Sequence, residues 1–579
     1  MPSPRRPLRI FPFDPMVDRF GRSVIADIPY EKLEPGPSGR LVQVIDYDGV
    51  RDCFYEPVDL DAADVLLNQG LDLSEADPRF HQQMVYAVIM RVLEAFERGL
   101  GRPFRWRRNE RLRVFPHAFE GQNAFFEEDL FALVFGYFEA DAEDPGPNLP
   151  SQIVFTCLSH DIVAHETTHA VVKRLRPHYS NPTNRDVLAF HEGFSDVVAI
   201  LQHFTYPAVV ADHLGRARTD LHQTESLLSL AGQFGFASGS GRALRTALSR
   251  PDKTAYESTE EEHDLGSLFV AAIIDGFMRT YNEEIADLVR IATAGSGVLQ
   301  PGALHPDLVA RVARTAARTA ERVFNICIGA FDYLPPVDIT FGDYLRALVT
   351  ADFDVFPDDE VHLRANLIEG FRSRGIYPRG VVSLTDRSLR IEPVDPADFK
   401  PIPQVQQRLV ERTLDYKSMQ MAQTTSGAAA APVETDTDPS RSAEWARQLH
   451  AWATKHRGPL GLDPDAPIAV DGFFTRQRVN SDGHVGSEAS VRFVQRRADL
   501  ADDLGGVIPM GGVTVIADGE GEVRYVVGKP LPVEKSAELD ALQGFVAGVE
   551  HRLRSVAWSG DPKRAVAERL NLRRLDAPH

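Results

Sequence analysis

Cysteine is scarce in this sequence: Cys53, Cys157 and Cys327 are the only three in 579 residues. An odd number at wide spacing does not make a disulfide framework, so reduced thiols in a cytosol are expected. Long apolar runs are missing too. No stretch reaches the roughly 18 residues of a membrane-spanning helix, and the basic N-terminus (Arg5, Arg6, Arg9) is followed by no continuous apolar segment of the secretory kind. Positive charge is in deficit: 63 Lys and Arg against 83 Asp and Glu give a formal net charge of -20. That balance opposes nonspecific binding to nucleic acid or an anionic membrane, and a cytoplasmic location is the expectation.

What is present is an ordinary soluble composition, 43% hydrophobic and 25% charged, in a chain long enough for several domains. Residues 1–75 mix short extended runs with turn-rich stretches. Asp77 and Pro78 open an amphipathic helix through Phe80, Met84, Val88, Val92 and Phe96 that ends near Gly99 and Gly101. Strand-like segments follow at 112–119, 122–126 and 130–138; from about 185 to 376 the apolar periodicity is helical, with runs at 187–204, 264–281, 306–329, 340–355 and 358–375. Strands first and helices second predict an α+β body whose lobes, 76–184 and 185–380, face each other across a cleft. An extension over 381–423, a flexible linker over 424–442 and a small α+β domain over 443–579 complete the chain. The last part carries a hairpin signal at Ala517-Asp518-Gly519. It offers no metal-ligand spacing, phosphate loop or nucleophile arrangement, and Asp482 and His484 sit in a turn-like segment.

The chemistry is concentrated elsewhere. His165, Glu166 and His169 form an H-E-x-x-H pattern, and 22 residues after His169 come His191, Glu192 and, one turn on, Asp196. Two histidines four apart lie on one face of a helix, so both imidazoles can reach one metal ion. Glu192, from a second helix, supplies a third ligand. Three protein ligands leave a fourth position open, which marks a catalytic rather than a structural zinc site. Glu166 lies beside that face, placed to move a proton from water. A chance match would sit on a solvated surface, but Ile162, Val163, Ala164, Val171 and Val172 flank the first motif and Phe190, Phe194, Val197 and Val198 the second. Ionisable groups on such buried helices need a metal or partners.

Residues 161–172 closely resemble the zinc helix of the thermolysin-like zinc metallopeptidases, and Glu192–Asp196 resembles that family's third-ligand motif. Asn123, Ala124, Phe125 and Phe126 are similar to its edge strand; residues 340–347, Glu360–Val361 and 371–376 are similar to its closing helices. The resemblance covers about residues 75–376. It implies one catalytic Zn2+ and peptide-bond hydrolysis, with Tyr179 and His263 donating to the oxyanion and Arg245 holding a substrate carbonyl. It implies too that Asn123 and the Ala124 backbone receive the peptide as an added strand, and that Asp196 accepts the ring N–H of a ligating histidine. Leu244 and Ile162 fall where the family lines the pocket for the residue after the scissile bond, implying an apolar preference there.

The sequence departs from the family pattern in several places. The gap between His169 and Glu192 is longer, and Arg245 lies closer to His263. Of the double calcium site Asp161 is kept, but eleven residues after Glu192 stands His203, with Gln202 beside it. Neither is a good hard-cation ligand, so calcium is doubtful. No secretion signal or long pro-segment is recognised. The expectation is therefore an intracellular zinc endopeptidase or oligopeptidase acting on peptides or proteins. The alternatives are a gluzincin aminopeptidase clamping a substrate amino terminus through Glu120, Glu127 or Glu128, and a zinc-stabilised peptide-binding scaffold. Residues 443–579 are a candidate contact for a protein partner or an oligomer.

Overall fold

Alternating apolar side chains set the first elements. Leu8 and Ile10 of β1 (Arg5–Ile10) and Val24, Ala26 and Ile28 of β2 (Val24–Pro29) face inward while their neighbours do not, and the strands pair antiparallel. The computed structural model describes residues 5–13, 15, 23–107, 110–145, 148–216, 251–299, 304–403, 405–406, 409, 439–479, 485–501, 504, 507–534 and 536–556. Over these residues the chain is a mixed α+β protein. No described helix is long and apolar enough to cross a membrane.

After β3 (Val42–Val44) and the small ribbon β4 (Tyr47–Asp48) and β5 (Cys53–Phe54), the first long helix forms as its end signals dictate. The Asp77 side chain accepts from Arg79 N, and Pro78 takes a position where a missing N–H costs nothing. Gly101 closes α1 (Pro78–Leu100) in the left-handed conformation, at φ 63°. The main sheet follows: β6 (Leu112–Glu120), β7 (Ala124–Glu127), β8 (Ala132–Glu139) and β9 (Ile153–Phe155). Its order is β3-β6-β8-β7, parallel from β3 to β8 and antiparallel at β7, with β9 antiparallel on the remaining half of β8. Pro116 cannot donate to the ladder, and the register of β6 shifts between Phe115 and Phe119.

Helices α2 (His160–Leu175), α3 (Arg185–Phe204), α4 (Glu262–Ala292), α5 (Pro306–Gly329), α6 (Phe341–Val355) and α7 (Leu363–Arg372) make most of the remaining body. The helix expected over 358–375 is confined to α7, because His362 adopts φ 54° and caps its start from a left-handed conformation. At the crossing of α3 and α4 two glycines let the backbones touch. A Cβ on Gly193 would lie 2.8 Å from Gly266 O, and one on Gly266 would lie 3.1 Å from Ala189 O.

The C-terminal part comprises α8 (Pro439–Lys455), the meander β10 (Ala469–Val479), β11 (Val485–Arg496), β12 (Met510–Asp518) and β13 (Val523–Lys529), and α9 (Ala537–Val556). It has a core of its own around Trp452, Phe493 and Val515, yet Ile516 and Tyr525 belong to the core of the main body. The expected linker lies largely outside the described residues. Gly101 shows how closely the two parts approach: its carbonyl accepts from Gln477 N at 3.1 Å, and a Cβ there would meet Gln477 O at 2.3 Å. The polar centre of the junction is Asp332, which receives Arg102 at 2.7 and 2.9 Å and the buried Arg476 at 2.8 Å.

Burial works against charge on Asp332, but the two arginines outweigh it and hold the carboxyl well below its usual range. Its contribution to stability is therefore present above the unfolded pKa of about 3.9 and is lost as pH falls below that value toward the folded one. Replacing Asp332 by Asn leaves Arg102 without its partner and Arg476 with Glu488 alone. We expect a loss of about 3–5 kcal/mol in denaturant unfolding at neutral pH, and a loss below 1 kcal/mol would show that the junction does not rely on this pair.

Candidate metal centre

Helices α2 and α3 bring the H-E-x-x-H histidines and Glu192 together. His165 Nε2 and His169 Nε2 lie 3.0 Å apart, and the Glu192 carboxylate oxygens lie 3.4 Å from the first and 3.6 Å from the second. One oxygen of Glu166 falls within 4.8 Å of both ring nitrogens. Glu192 is half-buried, and although burial raises its pKa, the imidazoles of His169 and His165 bring it well below the ordinary value.

The outer face of each ring decides where its proton sits. His165 Nδ1 lies 2.8 Å from Asp196 Oδ1 and donates to it; burial disfavours the charged ring, but the hydrogen bonds to Asp196 and Glu192 outweigh it and raise its pKa well above the ordinary value. This pairing is the one expected for Asp196. His169 Nδ1 faces His191 Nδ1 at 3.4 Å with the rings stacked, 15° between planes. Burial pushes the His191 pKa down to about 4, so its ring is neutral and can accept from His169. The sequence motif contained His191, but nothing in its spacing marked it as the partner of His169. Two imidazole Nε2 atoms and a carboxylate thus converge on one point, and a divalent cation such as zinc that displaces the proton held there would find a fitting donor set.

Glu166 is tied to the edge of the sheet. Its Oε2 accepts the Phe126 backbone N–H at 3.0 Å, while Asn123 O pairs inward with Gly136 N at 2.9 Å. An antiparallel ladder alternates its bonds, so Ala124 and Phe126 turn their backbone groups away from β8 and toward α2. The Asn123 side chain accepts from Ala124 N at 2.9 Å, and the residue itself is exposed.

His263, in the first turn of α4, comes within electrostatic reach of Glu192. Glu261 caps this helix, accepting from Asp264 N through one oxygen and from His263 Nδ1 at 2.7 Å through the other. Burial lowers the His263 pKa, but the Glu261 hydrogen bond and the Glu192 charge outweigh it, so the imidazole is raised above its ordinary value.

Tyr179 does not join the group, contrary to the expectation of an oxyanion donor. The chain turns tightly through Pro177–Ser180 just after α2, burying the ring against Phe190, and the hydroxyl donates to Pro335 O at 2.6 Å. A donor committed in this way has no hydrogen left for an oxyanion. The same turn is held by the C-terminal sheet: His178 Nε2 meets Asp471 at 3.2 Å, and Arg492 reaches the Leu175 carbonyl. Arg245 and Leu244 lie outside the described residues.

The expected weakness of the calcium position has a structural counterpart. His203 Nε2 contacts Asp161 Oδ1 directly, with His160 packed on the His203 ring and both His160 nitrogens buried without hydrogen bonds. Nitrogen donors around one carboxylate are not the oxygen cage a hard cation requires. This trio is one of three described groups of His, Cys, Asp or Glu that could hold a metal ion, the others being His165, Glu166 and His169, and His81, His117 and Cys157. No protein-family model matches the chain, and it matches no curated protein.

If Asp196 fixes the His165 tautomer, Asp196→Asn weakens metal affinity by about 10–100-fold. Chelator competition measures this directly, and an unchanged affinity would remove Asp196 from the account.

Proposed function

We propose that the protein is a zinc-dependent metallopeptidase of two-lobed, thermolysin-like design, cutting within peptides or proteins. The observation that carries this reading is the meeting of three elements at one place. The donor cluster of His165, His169 and Glu192 has Glu166 beside it, and Glu166 in turn touches an outward-facing sheet edge. An extended peptide added to β7 would donate to the outward carbonyls of Ala124 and Phe126 and displace Asn123 Oδ1 and Glu166 Oε2 from the two N–H groups, which runs its scissile bond past Glu166.

When bound, zinc supplies Lewis acidity that acidifies water and polarises the scissile carbonyl. Glu166 then accepts the water proton and returns it to the departing amine, a task that needs its carboxylate within reach of both. His263, whose cationic form Glu261 and Glu192 favour, donates toward the developing oxyanion in place of Tyr179. Asp196 and His191 hold the ligand rings. The aminopeptidase alternative is weakened at Glu128, whose carboxylate already pairs with Lys173 at 2.7 Å. A scaffold that keeps zinc only for stability has no use for a carboxylate at the position of Glu166.

Glu166→Gln should retain stoichiometric metal while losing at least about 100-fold in peptide cleavage, the usual scale of general acid–base work. Equal cleavage by both proteins would refute the mechanism. The His263 role has a separate readout. The cationic donor persists to a higher pH because its pKa is raised, so Glu261→Gln should move the alkaline limb of kcat/KM to lower pH. A limb that stays in place would exclude His263 as the titrating donor.

A further inference from the structure

His81 of α1, His117 of β6 and Cys157 of the turn Thr156–Leu158 meet in the interior, away from solvent, each with a ligand atom within 4.8 Å of the others. Fixed neighbours place one N–H on the outer side of each ring. Glu75 O is a carbonyl and only accepts, so His81 Nε2 at 3.1 Å donates to it and Nδ1 is left with a lone pair. Asp46 Oδ1, 2.6 Å from His117 Nδ1, accepts the N–H of that nitrogen and directs Nε2 toward His81. Asp46 cannot swing away, because its other oxygen accepts from Gln82 Nε2 at 2.8 Å. The inward nitrogens, His81 Nδ1 and His117 Nε2, face each other at 2.8 Å, where only one hydrogen fits between them. A metal ion bound by both rings and the nearby Cys157 can take the place of that hydrogen.

We propose that His81 Nδ1, His117 Nε2 and Cys157 Sγ bind one divalent transition-metal ion of the zinc class, separate from the ion at His165 and His169. Two imidazole nitrogens and a thiolate are a borderline-soft donor set, which selects such metals over calcium or magnesium. Binding turns the Cys157 thiol into a thiolate and releases its proton to solvent. The thiolate and the Asp46 carboxylate together balance a double positive charge, so the filled interior carries no net charge. Asp46 and the Glu75 carbonyl orient the rings from behind, as Asp196 and His191 do at the other centre. Ligand nitrogens on tetrahedral zinc stand about 3.3 Å apart, so a shift of about half an ångström admits the ion. His165 and His169 show a similar close approach, 3.0 Å.

The site ties three elements together. His81 comes from α1, His117 from the irregular stretch of β6 after Pro116, and Cys157 from the turn that leads into α2. An ion here braces the start of the helix carrying His165, Glu166 and His169, and it does so whether or not that helix serves a peptidase.

Cobalt substitution tests the proposal on the full chain. A thiolate bound to Co2+ gives an intense sulfur-to-metal charge-transfer absorption in the near ultraviolet, and the group of His165, His169 and Glu192 contains no sulfur. Metal-free protein titrated with Co2+ should develop this band, His165→Ala should keep it, and Cys157→Ser should lose it. Wild-type protein saturated with cobalt but showing no band would overturn the proposal, leaving the Asp46–His117–His81 chain to share a proton instead. A band that survives in Cys157→Ser would also overturn it, by assigning the sulfur to Cys53 or Cys327. Because the wild-type spectrum alone can refute the site, poor folding of a variant does not shield it.

Discussion

The candidate centre depends on where two protons sit. An imidazole can offer a lone pair to a metal only if its other nitrogen holds the hydrogen; Asp196 fixes that hydrogen on His165 Nδ1, and His191 faces the corresponding nitrogen of His169. Both Nε2 atoms and the Glu192 carboxylate face one small volume, and that volume needs a positive charge, either a proton shared by the imidazoles or a metal ion. Glu166 gains its meaning from the same constraint, since a carboxylate beside that volume is useful only if something there makes water acidic.

The fold supplies the rigidity. Gly193 and Gly266 allow α3 and α4 to touch, which sets Glu192 on one helix near His263 on the next. Behind α2, the C-terminal sheet grips the turn at His178 and the Leu175 carbonyl, and Asp332 locks the sheet to the body through Arg102 and Arg476. The C-terminal part is thus no loosely attached appendage: its strands β10 and β11 buttress the end of the helix that carries both ligand histidines.

Local signals were the most legible in the sequence. The spacing of His165 and His169 needs only helical geometry, and the cap of Asp77, the proline at 78 and the closing Gly101 gave the first long helix its limits. Asp196 was readable because it lies one turn from Glu192. Long-range pairings were not. The loss of Tyr179 to Pro335, the stacking of His191 on His169 and the docking of Arg476 on Asp332 link residues whose proximity is created by the tertiary fold, and no periodicity encodes them. His81, His117 and Cys157 escaped notice for the same reason: a helix, a strand and a turn each contribute one residue, so no motif spacing exists to be recognised.

The central claim is that His165, His169 and Glu192 close on a divalent cation. Crystals of the protein prepared with zinc, measured on both sides of the zinc absorption edge, test it most directly. The account predicts an anomalous difference peak bounded by His165 Nε2, His169 Nε2 and the Glu192 carboxylate. A map with these side chains ordered as described and no peak between them would contradict it, because the lone pairs would then be satisfied by protons alone.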